Sequence, residues 1–101
     1  MSVVERNLPR VRVADFCRRW KVTEFALFGS VLRTDFRNDS DIDVLVTFAP
    51  DATWTLLDFV TMQDELRDIF GREVDLVERD ALHNPFRRRA ILNNLQVIYA
   101  A

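Results

Sequence analysis

The sequence predicts an α/β (α+β) fold, a β-sheet flanked by helices, on three observations. Val13, Phe16, Cys17 and Trp20 recur at three- and four-residue spacing, the period of a helix with one buried face. Ile42, Val44, Val46 and Phe48 alternate along the chain, the period of a strand. A helix-like segment from Thr53 to Phe70 joins that strand to a further apolar run ending at Val77. A strand, a helix and a strand in that order cross over one sheet face and bring both strands into one sheet.

The elements follow in order as helix, strand, loop, strand, helix, strand, helix. Pro9 stands near the start of the first helix, whose apolar face is core. Cys17 on that face reads as a small buried hydrophobe, with no histidine or second cysteine nearby to make it reactive. Thr23 to Phe28 reads as a buried strand that ends at Gly29-Ser30, after which Val31-Leu32-Arg33 could open a short helix. The helix from Thr53 to Phe70 carries Leu56, Phe59, Val60, Leu66, Ile69 and Phe70 as its apolar set and stops at Gly71. Arg72 to Val77 is the third strand. His83 precedes Asn84-Pro85, an N-cap and N1 pair, and reads as a loop or capping residue in preference to a catalytic base. Arg87, Arg88 and Arg89 cover a broad arc of the last helix, as a solvated face, a surface for an anionic partner, or a triphosphate contact.

Residues 1–101 are read as one domain, because 101 residues at 49% hydrophobic build a single core and leave no room for a second. A formal net charge of -2 gives no whole-protein attraction to nucleic acid, so no nucleic-acid partner is expected. The single Cys17 excludes an internal disulfide. The first residues lack the apolar stretch of a signal peptide, and no apolar run approaches the roughly 18 residues of a membrane span. The expectation is a cytoplasmic protein with no membrane partner.

The chemistry is concentrated between Gly29 and Val46. Asp41 and Asp43 flank Ile42, so the alternation that sends Ile42, Val44 and Val46 inward places both aspartates on the opposite face. Two residues along a strand span about 6.6 Å, close enough for two leaning carboxylates to share one hard cation. Such a pair alone reads first as a solvated strand face. The segment before it adds to the case: a strand, Gly29, Ser30 and a helix start form a phosphate cradle, with no Cβ at Gly29, a hydroxyl at Ser30 and free N–H groups facing an anion. Arg33 could steady phosphate charge or pair with Asp35 or Asp39. Phe48 and Trp54 could stack on a base or belong to the core.

Taken together, Gly29-Ser30, Arg33, Asp35 and Ser40-Asp41-Ile42-Asp43 resemble the signature of the minimal nucleotidyltransferases, small members of the DNA polymerase β-like superfamily. The pattern departs at Thr34, where the family commonly has glycine, without loss of a ligand. The resemblance implies a single nucleotidyltransferase domain with a mixed β-sheet flanked by helices. It implies transfer of AMP from ATP to a hydroxyl, with two Mg2+ ions held by three carboxylates. Asp41 and Asp43 match the first two, and Asp75, set on the later strand between apolar Val74 and Leu76 where an anion would otherwise be costly to bury, is assigned the third, as metal ligand and general base. Gly29, Ser30 and Arg33 match the nucleotide-binding positions. The segment from Asn84 through Tyr99 resembles the family's C-terminal helix.

Proteins of this kind commonly occur beside a HEPN-domain toxin, and the resemblance implies an antitoxin that adenylylates a tyrosine of that ribonuclease. Larger relatives hold their acceptor on an extra domain, so a hetero-complex with the partner is expected here. The alternative is a non-catalytic, nucleotide-binding antitoxin or regulatory subunit that neutralises its partner by occlusion. A small-molecule nucleotidyltransferase of the aminoglycoside-modifying kind fits less well, those enzymes being larger.

Overall fold

The alternation at Ile42, Val44 and Val46 is realised as a strand with all three side chains buried, and the rest of the fold is assembled around it. The computed structural model describes residues 9–29 and 41–101. Within them the order is α1 (Arg10–Arg19), β1 (Val22–Phe28), β2 (Ile42–Phe48), α2 (Leu56–Phe70), β3 (Val74–Glu78), a 3-10 turn (Arg79–Ala81), α3 (Pro85–Asn93) and β4 (Leu95–Ala100). The sheet is mixed, in the order β3-β2-β1-β4. β1 runs antiparallel to both β2 and β4, whereas β2 and β3 are parallel neighbours joined over one face by α2. This is the crossover the sequence predicts.

β1 lies inside the sheet and is covered on both faces, which is why it reads as a nearly continuous apolar run. On one face Phe25 and Leu27 meet Val13, Phe16 and Cys17 of α1 and Met62, Leu66 and Ile69 of α2. Aromatic pairs tighten this layer: Phe16 meets Phe25 edge-on at 6.2 Å, and Trp20 meets Trp54 at 5.1 Å. The Trp54 indole N–H donates to the Trp20 carbonyl at 2.9 Å, and the Trp20 indole donates to Glu65 at 2.9 Å. Cys17 is fully buried, and burial pushes its thiol up to about 12 against the opposing pull of Arg18, so it stays protonated and inert at neutral pH. On the other face a smaller cluster joins Ala26, Phe28 and Leu45 to Leu82 and to Ile91 of α3.

α2 begins three residues later than the sequence suggests. Thr55 is its N-cap in a reciprocal capping box with Asp58, and Gly71 at φ 71° closes it. Its buried stripe is Met62, Leu66 and Ile69, whereas Leu56 and Val60, expected in the core, are 81% and 52% exposed. At about 100° per residue Val60 lies about 200° around the helix from Met62, and Leu56 about 240°. Apolar content there did not report phase.

The chain end corrects the expected C-terminal helix through Tyr99. α3 stops at Asn93, and Leu95–Ala100 pairs with β1, Leu95 opposite Phe28 and Tyr99 opposite Phe25. The physical reason is local composition, since Val97, Ile98 and Tyr99 are β-branched or aromatic and suit a strand that covers the second side of β1. The helix start is as expected: Asn84 caps α3 by accepting from the N–H groups of Phe86 at 3.0 Å and Arg87 at 3.2 Å, with Pro85 at N1.

Candidate functional site

The site is built where β1 ends and β2 and β3 begin. Phe28, the last residue of β1, stands opposite Asp43 in the antiparallel ladder, and Asp43 stands opposite Asp75 in the parallel one. Parallel neighbours are about 4.8 Å apart, so two carboxylates are held side by side on one face of the sheet. Asp41 lies two residues before Asp43, immediately ahead of β2, and is exposed. The Ile42 N–H donates to the Glu73 carbonyl at 3.0 Å, which ties the entry of β3 to the entry of β2 and fixes this register.

Gly29 follows Phe28 with φ 74°, a left-handed conformation that glycine adopts without cost. A Cβ at this position would overlap the Asp43 carboxylate oxygen Oδ2 and lie 3.2 Å from its Cγ. Glycine is therefore required twice, by backbone conformation and by the carboxylate packed against it.

The face is identified by alternation. Asp43 and Leu45 point the same way, as do Asp75 and Val77, and both Leu45 and Val77 pack with the cluster beneath α3. The carboxylates thus project on the α3 face, away from the larger core of α1 and α2. Asp43 is half-buried, whereas Asp75 is exposed, so the burial cost that singled out Asp75 in the sequence does not operate. What sets Asp75 in place is the ladder register with Asp43. Among the described residues no three His, Cys, Asp or Glu side chains are gathered tightly enough to hold an ion as they stand. The backbone collects Asp41, Asp43 and Asp75 at one edge.

Ser30 and Arg33 lie outside the described residues, as do Asp35 and Asp39. Phe48 and Trp54 stand at the other end of β2, with Phe48 five residues, about 16 Å, beyond Asp43. There they line, with Phe59, a cavity of about 250 Å³, and Phe48 meets Phe59 edge-on at 5.7 Å. Their work is packing, the second of the two sequence readings. His83 is exposed in the loop before α3. The sequence reading passed over Glu73, whose carbonyl pins the register and whose carboxylate pairs with Arg67 at 3.4 Å. Its position two residues before Asp75 was the available signal.

Opposite the site, Arg19 bridges Asp15 and Glu65 across α1 and α2. Partial burial acts to raise the Glu65 pKa, but the hydrogen bonds from Arg19 and Trp20 outweigh it and hold the carboxyl below its usual range. Among the described residues no helix is long and apolar enough to cross a membrane.

Residues 12–98 match the family model described as nucleotidyltransferase domain. A Methanocaldococcus jannaschii protein, named provisionally as a protein adenylyltransferase, is 39% identical over 79 residues, 76% of each chain. The fold is similar to a solved structure described provisionally as a minimal nucleotidyltransferase, at 32% identity and a TM-score of 0.74 over 95% of both chains. It is also similar to a solved structure of the tri-AMPylated HEPN toxin of Shewanella oneidensis in complex with MNT antitoxin, with a TM-score of 0.69, 18% identity, and coverage of 95% of this chain and 73% of that one.

Proposed function

The chain belongs to the nucleotidyltransferase family, and from that premise we propose that it transfers AMP from ATP to a tyrosine hydroxyl of a HEPN-domain toxin and acts as that toxin's antitoxin. The single observation that carries the catalytic reading is the alignment of Asp43 with Asp75 across parallel strands, with the Gly29 backbone packed against the Asp43 carboxylate. The names borne by the similar proteins support the donor and the acceptor class.

The donor set fits magnesium. Asp41, Asp43 and Asp75 offer only hard oxygen ligands, and the absence of a Cβ at Gly29 leaves the carboxylate edge open to a triphosphate. These three residues would hold two Mg2+ ions, which when bound supply counter-charge to the phosphates and acidify the acceptor hydroxyl. Gly29 and Ser30 cradle the phosphates through backbone N–H groups and the serine hydroxyl, and Arg33 adds positive charge. Asp75, exposed at the mouth of the site, takes the proton as the hydroxyl oxygen bonds to the α-phosphorus. The bond to the bridging oxygen breaks in line and pyrophosphate leaves.

The test is transfer of label from ATP to a purified HEPN-domain partner. Label from the α-phosphate should enter the partner protein in magnesium and not in EDTA, and label from the γ-phosphate should not enter it. Transfer that persists in EDTA would remove the metal reading, and an unlabelled partner would remove the acceptor.

A further inference from the structure

Residues 83–90, at the start of α3, are exposed around the helix. Ile91 anchors the helix to the sheet, but Phe86 is 84% exposed and Arg87, Arg88 and Arg89 are all exposed. Arg12, Arg19, Lys21, Arg67 and Arg79 each pair with a carboxylate, whereas none of the three α3 arginines pairs with a described residue. A chain of net charge -2 thus carries three consecutive cations, none paired among the described residues, next to one exposed aromatic residue. Arginine and aromatic side chains are the residues enriched at protein interfaces, the ring as an anchor and the guanidinium as a fork for carboxylates.

We propose that the exposed start of α3 is the docking surface for the protein acceptor, which presents a cluster of carboxylates around an apolar pocket that takes Phe86. The inference rests on the reading of the chain as an enzyme that modifies a protein. Charge complementarity selects an acidic occupant. The nine-residue helix is about 13 Å long, the footprint of one acidic patch, while the net negative charge of the rest of the chain opposes a polyphosphate strand running past it. Position supports the same occupant, because α3 stands on the sheet face from which Asp43 and Asp75 project. A protein held on α3 lies on the same side of the sheet as the carboxylates.

The experiment compares wild type with Arg87→Glu/Arg88→Glu/Arg89→Glu and with Phe86→Ala, all at exposed positions. It reads affinity for a purified HEPN-domain partner at two salt concentrations, together with ATP binding and thermal midpoint. The triple variant should bind the partner at least a hundredfold more weakly and Phe86→Ala about tenfold more weakly, with ATP binding and midpoint unchanged. Wild-type affinity should fall with salt and that of the triple variant should not. Equal partner affinity in wild type and triple variant, with wild type still labelling the partner, overturns the docking surface and leaves the transfer reading standing. So does loss of binding to a single-stranded oligoribonucleotide in the triple variant with partner affinity intact, which would assign the face to nucleic acid. A wild type that neither binds nor labels the partner overturns both readings.

Discussion

The two faces of the sheet are built for different purposes. Beneath α1 and α2, thirteen buried residues interlock, among them Phe16, Phe25 and Met62, and the polar atoms at its rim are paired through Trp20, Trp54 and Glu65. Beneath α3 the buried cluster has five members among the described residues, and the same strands carry Asp43 and Asp75 in register at its edge. In the proposed reading the first face holds the fold and the second presents the chemistry, so damage to each should appear in a different measurement.

The largest separation is expected at Asp43. Asp43→Asn should lower transfer by about three to four powers of ten, through loss of a ligand charge at the reacting phosphates. Its thermal midpoint should change little beside the loss of transfer, because asparagine keeps the size and shape of the side chain. A large fall in midpoint would show that the carboxylate is structural and would break the comparison.

Phe16→Ala should do the reverse. Removing a fully buried ring from the larger cluster costs about 3–5 kcal/mol, read as a lower urea midpoint at unchanged slope. The fraction that remains folded should transfer at the wild-type rate. Gly29→Ala tests the seam between the faces: the added methyl meets the Asp43 carboxylate in a left-handed backbone, and displacement of that group should cost about a hundredfold in transfer. Unchanged turnover would show that the phosphates are bound elsewhere.

The smallest effect sharpens the comparison through pH. Glu65 has a depressed pKa in the folded chain, so its contribution is fully present above the ordinary glutamate value of 4.5 and is lost as pH falls through the lower folded value. Glu65→Gln should therefore lose about 1–2 kcal/mol at pH 7 and less at pH 3 relative to wild type. Thermal unfolding at the two pH values checks it, and an equal loss at both would assign the effect to shape.

What was legible in the sequence divides along the same line. Strand alternation marked β2 from Ile42 to Phe48, and the Asn84-Pro85 pair marked the start of α3, because each signal is local and has one physical cause. Gly29 was legible as the end of β1, but its contact with Asp43 depends on an antiparallel ladder and has no local trace. The pairing of Asp43 with Asp75 likewise depends on a register set across α2, and the sequence argument for Asp75 rested on a burial that the exposed side chain does not have. Leu56 and Val60 misled because apolar residues were counted without their phase about the helix. Leu95–Ala100 was missed because resemblance to a helix outweighed the β-branched and aromatic composition of Val97, Ile98 and Tyr99.

The central claim is that the α3 face acts by transfer and not by covering its partner, and Asp75→Asn tests it most directly because it keeps shape and removes one charge. The measurement is the ribonuclease activity of a HEPN-domain partner after incubation with ATP, magnesium and either wild type or Asp75→Asn. Wild type should silence the ribonuclease only when ATP is present, and Asp75→Asn should bind the partner and leave it active. Equal silencing by Asp75→Asn, or silencing by wild type without ATP, would contradict transfer and establish occlusion.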